Sequence, residues 1–217
     1  MEIYQQPGNR VFDLKNNYDS KNYGLEVEVR KSLSFIDLPV IRNITVYGNF
    51  TYMDARVRQM LESVTLNAAA DSIQIKREIL QEEKRPLSGQ SNYMYNAGLF
   101  YDSKYLDLSV TYNYVTNRVF RPSLRYLESL FERPVKAMDL QLTGHFYKRK
   151  IEARFTISNL LNSYSVIYQK QLTAEEVRLG LENKLPASAY FYKDGNDLIN
   201  YIAKPGRTYG LTINYNF

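Results

Sequence analysis

Seven stretches of the chain alternate apolar and polar residues with a period of two, the spacing that gives a β-strand one greasy and one wet face. In NYGLEVEVRKSL (22–33), Tyr23, Leu25, Val27 and Val29 alternate with Gly24, Glu26, Glu28 and Arg30, so those charges share a face that must be wet. In NITVYGNFTY (43–52), Ile44, Val46, Phe50 and Tyr52 oppose Thr45, Tyr47, Asn49 and Thr51. NYMYNAGLFYDS puts Tyr93, Tyr95, Ala97, Leu99 and Tyr101 together; after a short link, Leu106, Leu108, Val110, Tyr112 and Tyr114 oppose Asp107, Ser109, Thr111 and Asn113. These two stretches predict a hairpin.

AMDLQLTGHFY sets Met138, Leu140, Leu142 and Phe146 against Asp139, Gln141, Thr143 and His145, and a tight KRK link leads into IEARFTIS. There Ile151, Ala153, Phe155 and Ile157 oppose Glu152, Arg154, Thr156 and Ser158. TYGLTINYNF places Tyr209, Leu211, Ile213, Tyr215 and Phe217 on one face. Residues 1–20 read either as a further strand or as the severed end of one.

Short links (33–43, 102–105, 147–150) alternate with long ones (59–91, 118–136, 160–207), the parity of an up-and-down meander with tight turns at one end and long loops at the other. The fold expected is all-β, an antiparallel up-and-down transmembrane β-barrel segment of seven or eight strands within a larger barrel, spanning 1–217. Soluble sandwiches and lipocalin-like barrels alternate too. Here, however, tyrosine recurs at the ends of the apolar stripes, at Tyr93, Tyr101, Tyr112, Tyr114, Tyr209 and Tyr215, which suits interfacial aromatic girdles better than a dry core.

Composition narrows the chemistry. Twenty tyrosines against no tryptophan fit half-wet, half-apolar surfaces. No cysteine is present, and there is one histidine, so neither a thiolate site nor a histidine cluster for metal can be drawn. The net charge of +5 is scattered through turns and loops without forming a stripe, which gives no nucleic-acid footprint. No run of 18 apolar residues exists for a membrane helix. No signal peptide is expected within the chain, because its start lacks a basic region followed by an apolar run.

Several stretches together resemble the C-terminal part of TonB-dependent outer-membrane receptors of the Bacteroidota type. Residues 22–33 look like that family's YGxExE strand, and 43–57 look like the strand after it. RPLSGQSNYMYNAGLFYDS (85–103) resembles its RPLxGQSxYxxNxGLxY stretch, the most specific match. FTISNLLNSYSVIY (155–168) resembles NLFNxxY, and PGRTYGLTINYNF (205–217) resembles the closing strand. The resemblance implies a barrel of roughly 22 strands plugged by an N-terminal domain, energised by TonB and serving uptake of an iron chelate, cobalamin, a glycan or a peptide. No plug domain is found in this sequence, so a fragment or a split reading frame is expected. In related proteins a last strand like Tyr209, Leu211, Ile213, Tyr215 and Phe217 is the signal read by the barrel-assembly machinery. The partners expected are outer-membrane lipid, that machinery, the plug domain and TonB. Two rivals are a self-contained small outer-membrane barrel with a structural or adhesive role, and a soluble lipocalin-like binding barrel.

No catalytic constellation is visible, and neither enzyme activity nor a cofactor is expected. Glu26, Glu28, Arg30, Asp107, Asp139, His145, Glu152 and Arg154 are candidate lumen-facing residues, because they fall on wet strand faces. KREILQEEKR (76–85) reads as a solvated loop. Thr173 with Glu176 forms a capping-box pattern that predicts a short helix in 173–185, and KDGND (193–197) predicts a hairpin tip reaching outward. Arg118, Arg121, Arg125 and Arg133 gather around the middle long link as candidates for contact with an anionic ligand or lipopolysaccharide phosphates.

Overall fold

The computed structural model describes residues 2–5, 12–15, 19–69, 72–123, 128–182 and 184–216. The chain is all-β and predominantly antiparallel. Two short strands, β1 (Glu2–Gln5) and β2 (Phe12–Lys15), pair only with each other. The next five are β3 (Asp19–Ser32), β4 (Ile44–Ala69), β5 (Ser72–Pro86), β6 (Tyr93–Asp102) and β7 (Leu106–Val115). They are followed by β8 (Arg118–Arg121), β9 (Leu130–Glu132), β10 (Val135–Phe146), β11 (Ile151–Ser158) and β12 (Ser165–Gln169). Helix α1 (Ala174–Leu181), β13 (Leu198–Ala203) and β14 (Thr208–Tyr215) complete the order.

All seven alternating stretches are strands of one large sheet, in the order β14-β11-β10-β7-β6-β4-β3, with every neighbouring pair antiparallel. The register keeps the apolar faces in line. Val46, Leu99, Val110, Leu140, Ile157 and Tyr209 are successive Cα partners across six strands. The sheet is open, with β3 and β14 at its edges, and no closed barrel forms among the described residues. Phe217 lies outside them.

Among the described residues, much of the apolar face is exposed. Leu25, Val27, Val29, Leu99, Leu142, Phe155, Leu211 and Ile213 are all exposed, Leu211 to 70%. Aromatic residues gather at both ends of this face. At the long-link end Phe50, Tyr52, Tyr93, Tyr95 and Tyr114 form a row, with ring centroids 5.3 Å apart for Tyr52–Tyr93, 5.2 Å for Phe50–Tyr95 and 5.9 Å for Tyr95–Tyr114. At the other end lie Tyr101, Phe146 and Tyr215, near the short links. Gly144 leaves room for one of these rings, since a Cβ there would come within 2.9 Å of the Phe146 ring unless that side chain shifted.

Two of the short links are tight turns. Ser103 Oγ donates to the Leu106 carbonyl at 2.7 Å, closing the β6–β7 turn. The β10–β11 turn puts three consecutive non-glycine residues, Tyr147, Lys148 and Arg149, in the left-handed region. Arg149 Nη2 donates across to the Ser103 carbonyl at 3.1 Å and ties the two turns together.

The long links are not loops as the sequence predicts. Residues 59–91 hold the outer half of β4 and all of β5, which pair as a hairpin extending the large sheet. The expected solvated loop 76–85 is therefore strand, and Arg85 is fully buried with Nη1 donating to the Pro86 carbonyl at 3.0 Å. The ladder offers each of these backbone groups a partner that a loop would leave to water. The other two long links fold together into a second, four-stranded sheet, β13-β12-β9-β8.

That small sheet has a conventional interior of Val119, Phe131, Tyr168 and Tyr190. Tyr168 is wholly buried, and its hydroxyl donates to the Tyr190 carbonyl at 2.6 Å. Helix α1 begins where the capping box predicts: Glu176 N donates to Thr173 Oγ1 at 3.2 Å, and Thr173 N donates to Glu176 Oε2 at 2.8 Å. Residues 193–197 form a turn but not an outward hairpin tip. Asp197 points inward, accepting from Lys170 Nζ at 2.9 Å and from the backbone N–H groups of Lys193 and Gln171. The correction has a plain cause: Lys170 is buried, and a buried ammonium requires a carboxylate beside it.

Candidate functional site: the polar face of the large sheet

The period-two phase puts all eight sequence candidates on one face of the large sheet, and the register divides them into two groups. Toward the β3 edge, Asn49 Nδ2 donates to Glu26 Oε1 at 2.7 Å, Asn96 Nδ2 donates to Asn49 Oδ1 at 3.2 Å, and Asn113 Nδ2 donates to Asn96. One hydrogen-bonded ladder thus crosses β3, β4, β6 and β7. Glu28 stays exposed beside it, and the Arg30 guanidinium lies 5.8 Å from the Phe100 ring centroid.

The second group is built around His145, whose side chain is 5% exposed. Its Nε2 lies 2.6 Å from Asp107 Oδ2 on β7. On its other side Nδ1 is 3.4 Å from Glu152 Oε1 on β11, without hydrogen-bond geometry. The cross-strand pairs His145↔Glu152 and Thr143↔Asp107 place three titratable side chains in one row. Arg154 is a Cα partner of Thr143, and its Nε is buried with no hydrogen-bond partner. Asp139 stands apart: its Oδ1 accepts from the Asn159 N–H at 2.8 Å and caps the end of β11.

This arrangement is a hydrogen-bonding polar face with one concentrated acid–imidazole–acid row. Among the described residues, no group of three His, Asp or Glu residues is placed to hold a metal ion. The terminal-strand residues Tyr209, Leu211, Ile213 and Tyr215 sit on the opposite, apolar face of the edge strand β14.

The middle-link arginines have different partners among the described residues. Arg118 Nε donates to Glu132 Oε2 at 2.6 Å, while Arg121 lies 5.6 Å from the Phe120 ring. Arg125 is outside the described residues. Arg133 is held against aromatic rings, 4.5 Å from Tyr164 and 5.9 Å from Tyr192. Burial pushes the Tyr168 hydroxyl well above its usual range, and the Asp197 charge adds to the effect. Loss of water, then a hydrogen bond to Asp194, raises Tyr192 as well.

The asparagine ladder is a feature that sequence reasoning missed. Asn49, Asn96 and Asn113 share the polar phase of their strands, but phase fixes the face and not the register that aligns them. No protein family, curated protein or solved structure matches the chain, and its site is defined by its own geometry.

Proposed function

We propose that the chain is part of the wall of a TonB-dependent receptor barrel in an outer membrane, its apolar face turned to lipid and its polar face to an aqueous bore. The observation that supports this most is the uncovered apolar face. Seven strands at about 4.8 Å spacing, each eight or more residues at about 3.4 Å rise, make it of the order of 900 Å². The largest apolar patch on a soluble monomer is typically about 300–600 Å². Aromatic rows at both ends with aliphatic residues between them match the girdles of a membrane barrel, whose apolar band is about 25 Å tall.

A lipocalin-like barrel would turn this face into a dry interior, and a self-contained small barrel would join β3 to β14; the exposed face and the open edges favour neither. On this reading the chain supplies bore wall, outer loops and closing strand for energised uptake of a scarce ligand, an iron chelate, cobalamin, a glycan or a peptide. It performs no catalysis. Its partners are lipid, the barrel-assembly machinery, a plug domain and TonB.

The chain has no tryptophan, so one introduced residue reports alone. In vesicles of phosphatidylcholine with brominated acyl chains, the fluorescence of Leu140→Trp is quenched and that of Gln141→Trp is not. Equal quenching at the two neighbours, or none at Leu140→Trp, would overturn the reading.

A further inference from the structure

Where the large and small sheets meet, a cavity of about 560 Å³ is walled by Tyr114, Arg133, Lys136, Tyr164, Phe191 and Tyr192. That volume falls within the range of about 300–1,000 Å³ usual for small-ligand sites. Its charge is one-sided. Arg133 and Lys136 line it, and no carboxylate does. The nearby acids are engaged elsewhere: Glu132 accepts from Arg118 Nε at 2.6 Å and from Ser165 Oγ at 2.5 Å, and Asp194 accepts from the Tyr192 hydroxyl at 3.0 Å.

Arg118, Lys170, Arg178, Lys184 and Lys193 nearby each face a carboxylate, whereas Lys204, beside the Tyr164 ring, adds to the positive charge. Arg133 has no carboxylate within 4.0 Å among the described residues; its Nη2 donates only to the Tyr164 carbonyl, at 3.3 Å. The ring stacking fixes its guanidinium and leaves most of its donor fork unspent. Two cations without a carboxylate partner in a pocket of aromatic walls suit an occupant carrying a compact double negative charge on a body with an apolar face. Asn162 and Ser163, also in the lining, add polar groups for hydroxyls.

We infer that this cavity binds a phosphorylated sugar, with the phosphate between Arg133 and Lys136 and the ring packed on the tyrosine faces. Two sources offer that chemistry, a free sugar phosphate and a glycolipid headgroup. Tyr114 and Lys136 are Cα partners in phase with Met138 and Leu140, so the cavity adjoins the apolar side of the sheet. The choice of a headgroup as the source rests on the membrane reading above; the preference for phosphate does not.

The test is calorimetric titration of the full chain in uncharged detergent micelles, with glucose 6-phosphate, with glucose, and with micelles doped with a phosphorylated disaccharide glycolipid. Glucose 6-phosphate is expected to bind at least about tenfold more tightly than glucose, and Arg133→Gln to lose about 10–100-fold of that affinity. Lys136→Gln, at an exposed position, loses a smaller factor and serves as the second variant if Arg133→Gln does not fold. Arg149→Gln, at the far end of the sheet, changes nothing. Tighter binding of the glycolipid identifies a headgroup, and tighter binding of the free sugar phosphate identifies a soluble ligand; both uphold the site. Equal affinity for glucose and glucose 6-phosphate, or unchanged phosphate affinity in both variants, overturns it. That failure would leave the lipid-quenching result intact, and the converse also holds.

Discussion

The two sheets of this molecule are stabilised in opposite ways. The small sheet hides Tyr168, Phe131 and Val119 in a dry interior and neutralises its buried Lys170 with Asp197. Among the described residues, the large sheet leaves most of its aliphatic side chains exposed or half-buried and is held by its backbone ladder and a row of cross-strand polar contacts. One is a water-soluble core in miniature; the other is a surface that depends on its surroundings for its apolar half. The large sheet's alternation fixes a greasy side for each strand, whereas the small sheet's short strands are buried without any such period.

The strongest way to break the small sheet is to orphan a buried charge. Lys170→Ala leaves Asp197 in a site where both side chains are fully inaccessible, and the expected cost is about 3–5 kcal/mol, read as a lower urea midpoint for near-ultraviolet dichroism. Matched phenylalanines sharpen the contrast. Phe131→Ala empties a site 1% exposed and is expected to cost about 3–5 kcal/mol, whereas Phe155→Ala, on the uncovered face at 38% exposure, costs under about 1 kcal/mol in detergent. Equal losses in those two variants would mean that the large sheet has a packed core after all.

A smaller effect comes from Tyr168. Its proton is held more tightly in the folded chain than at its usual value of 10.0, so its contribution to stability is complete below that pH and is lost as the pH rises above it. The small sheet is expected to loosen in alkali beyond pH 10, a step visible as tyrosinate absorbance appearing together with loss of near-ultraviolet dichroism. Tyr168→Phe removes the donor to the Tyr190 carbonyl, costs about 1–3 kcal/mol at neutral pH, and flattens the alkaline step.

Much of the large sheet was legible because period-two alternation gives each strand a face without any knowledge of its neighbours. Glu26, His145 and Arg154 were placed on the polar side on that ground alone. What alternation cannot give is partnership: nothing in the spacing of Asp107 and His145 says that they meet at 2.6 Å. The outer part of β4 was misread because its phase breaks. A register shift between Leu61 and Glu62 interrupts the alternation, and Val57, Met60, Leu61 and Val64 then fall at helix-like spacing. Strands β8, β9, β12 and β13 run to six residues at most, too few for a period to show. Their pairing joins residues far apart in sequence. The cap of α1 was readable because it is purely local, two side chains three positions apart.

The seam between β9 and β12 joins two connections that belong to different hairpins of the large sheet. Each connection supplies half of the same fastening. A nick beside the exposed Lys184 would leave β13 and β14 on the severed piece still paired with β12 and β11, and the cut chain would travel as one body until denaturant released it.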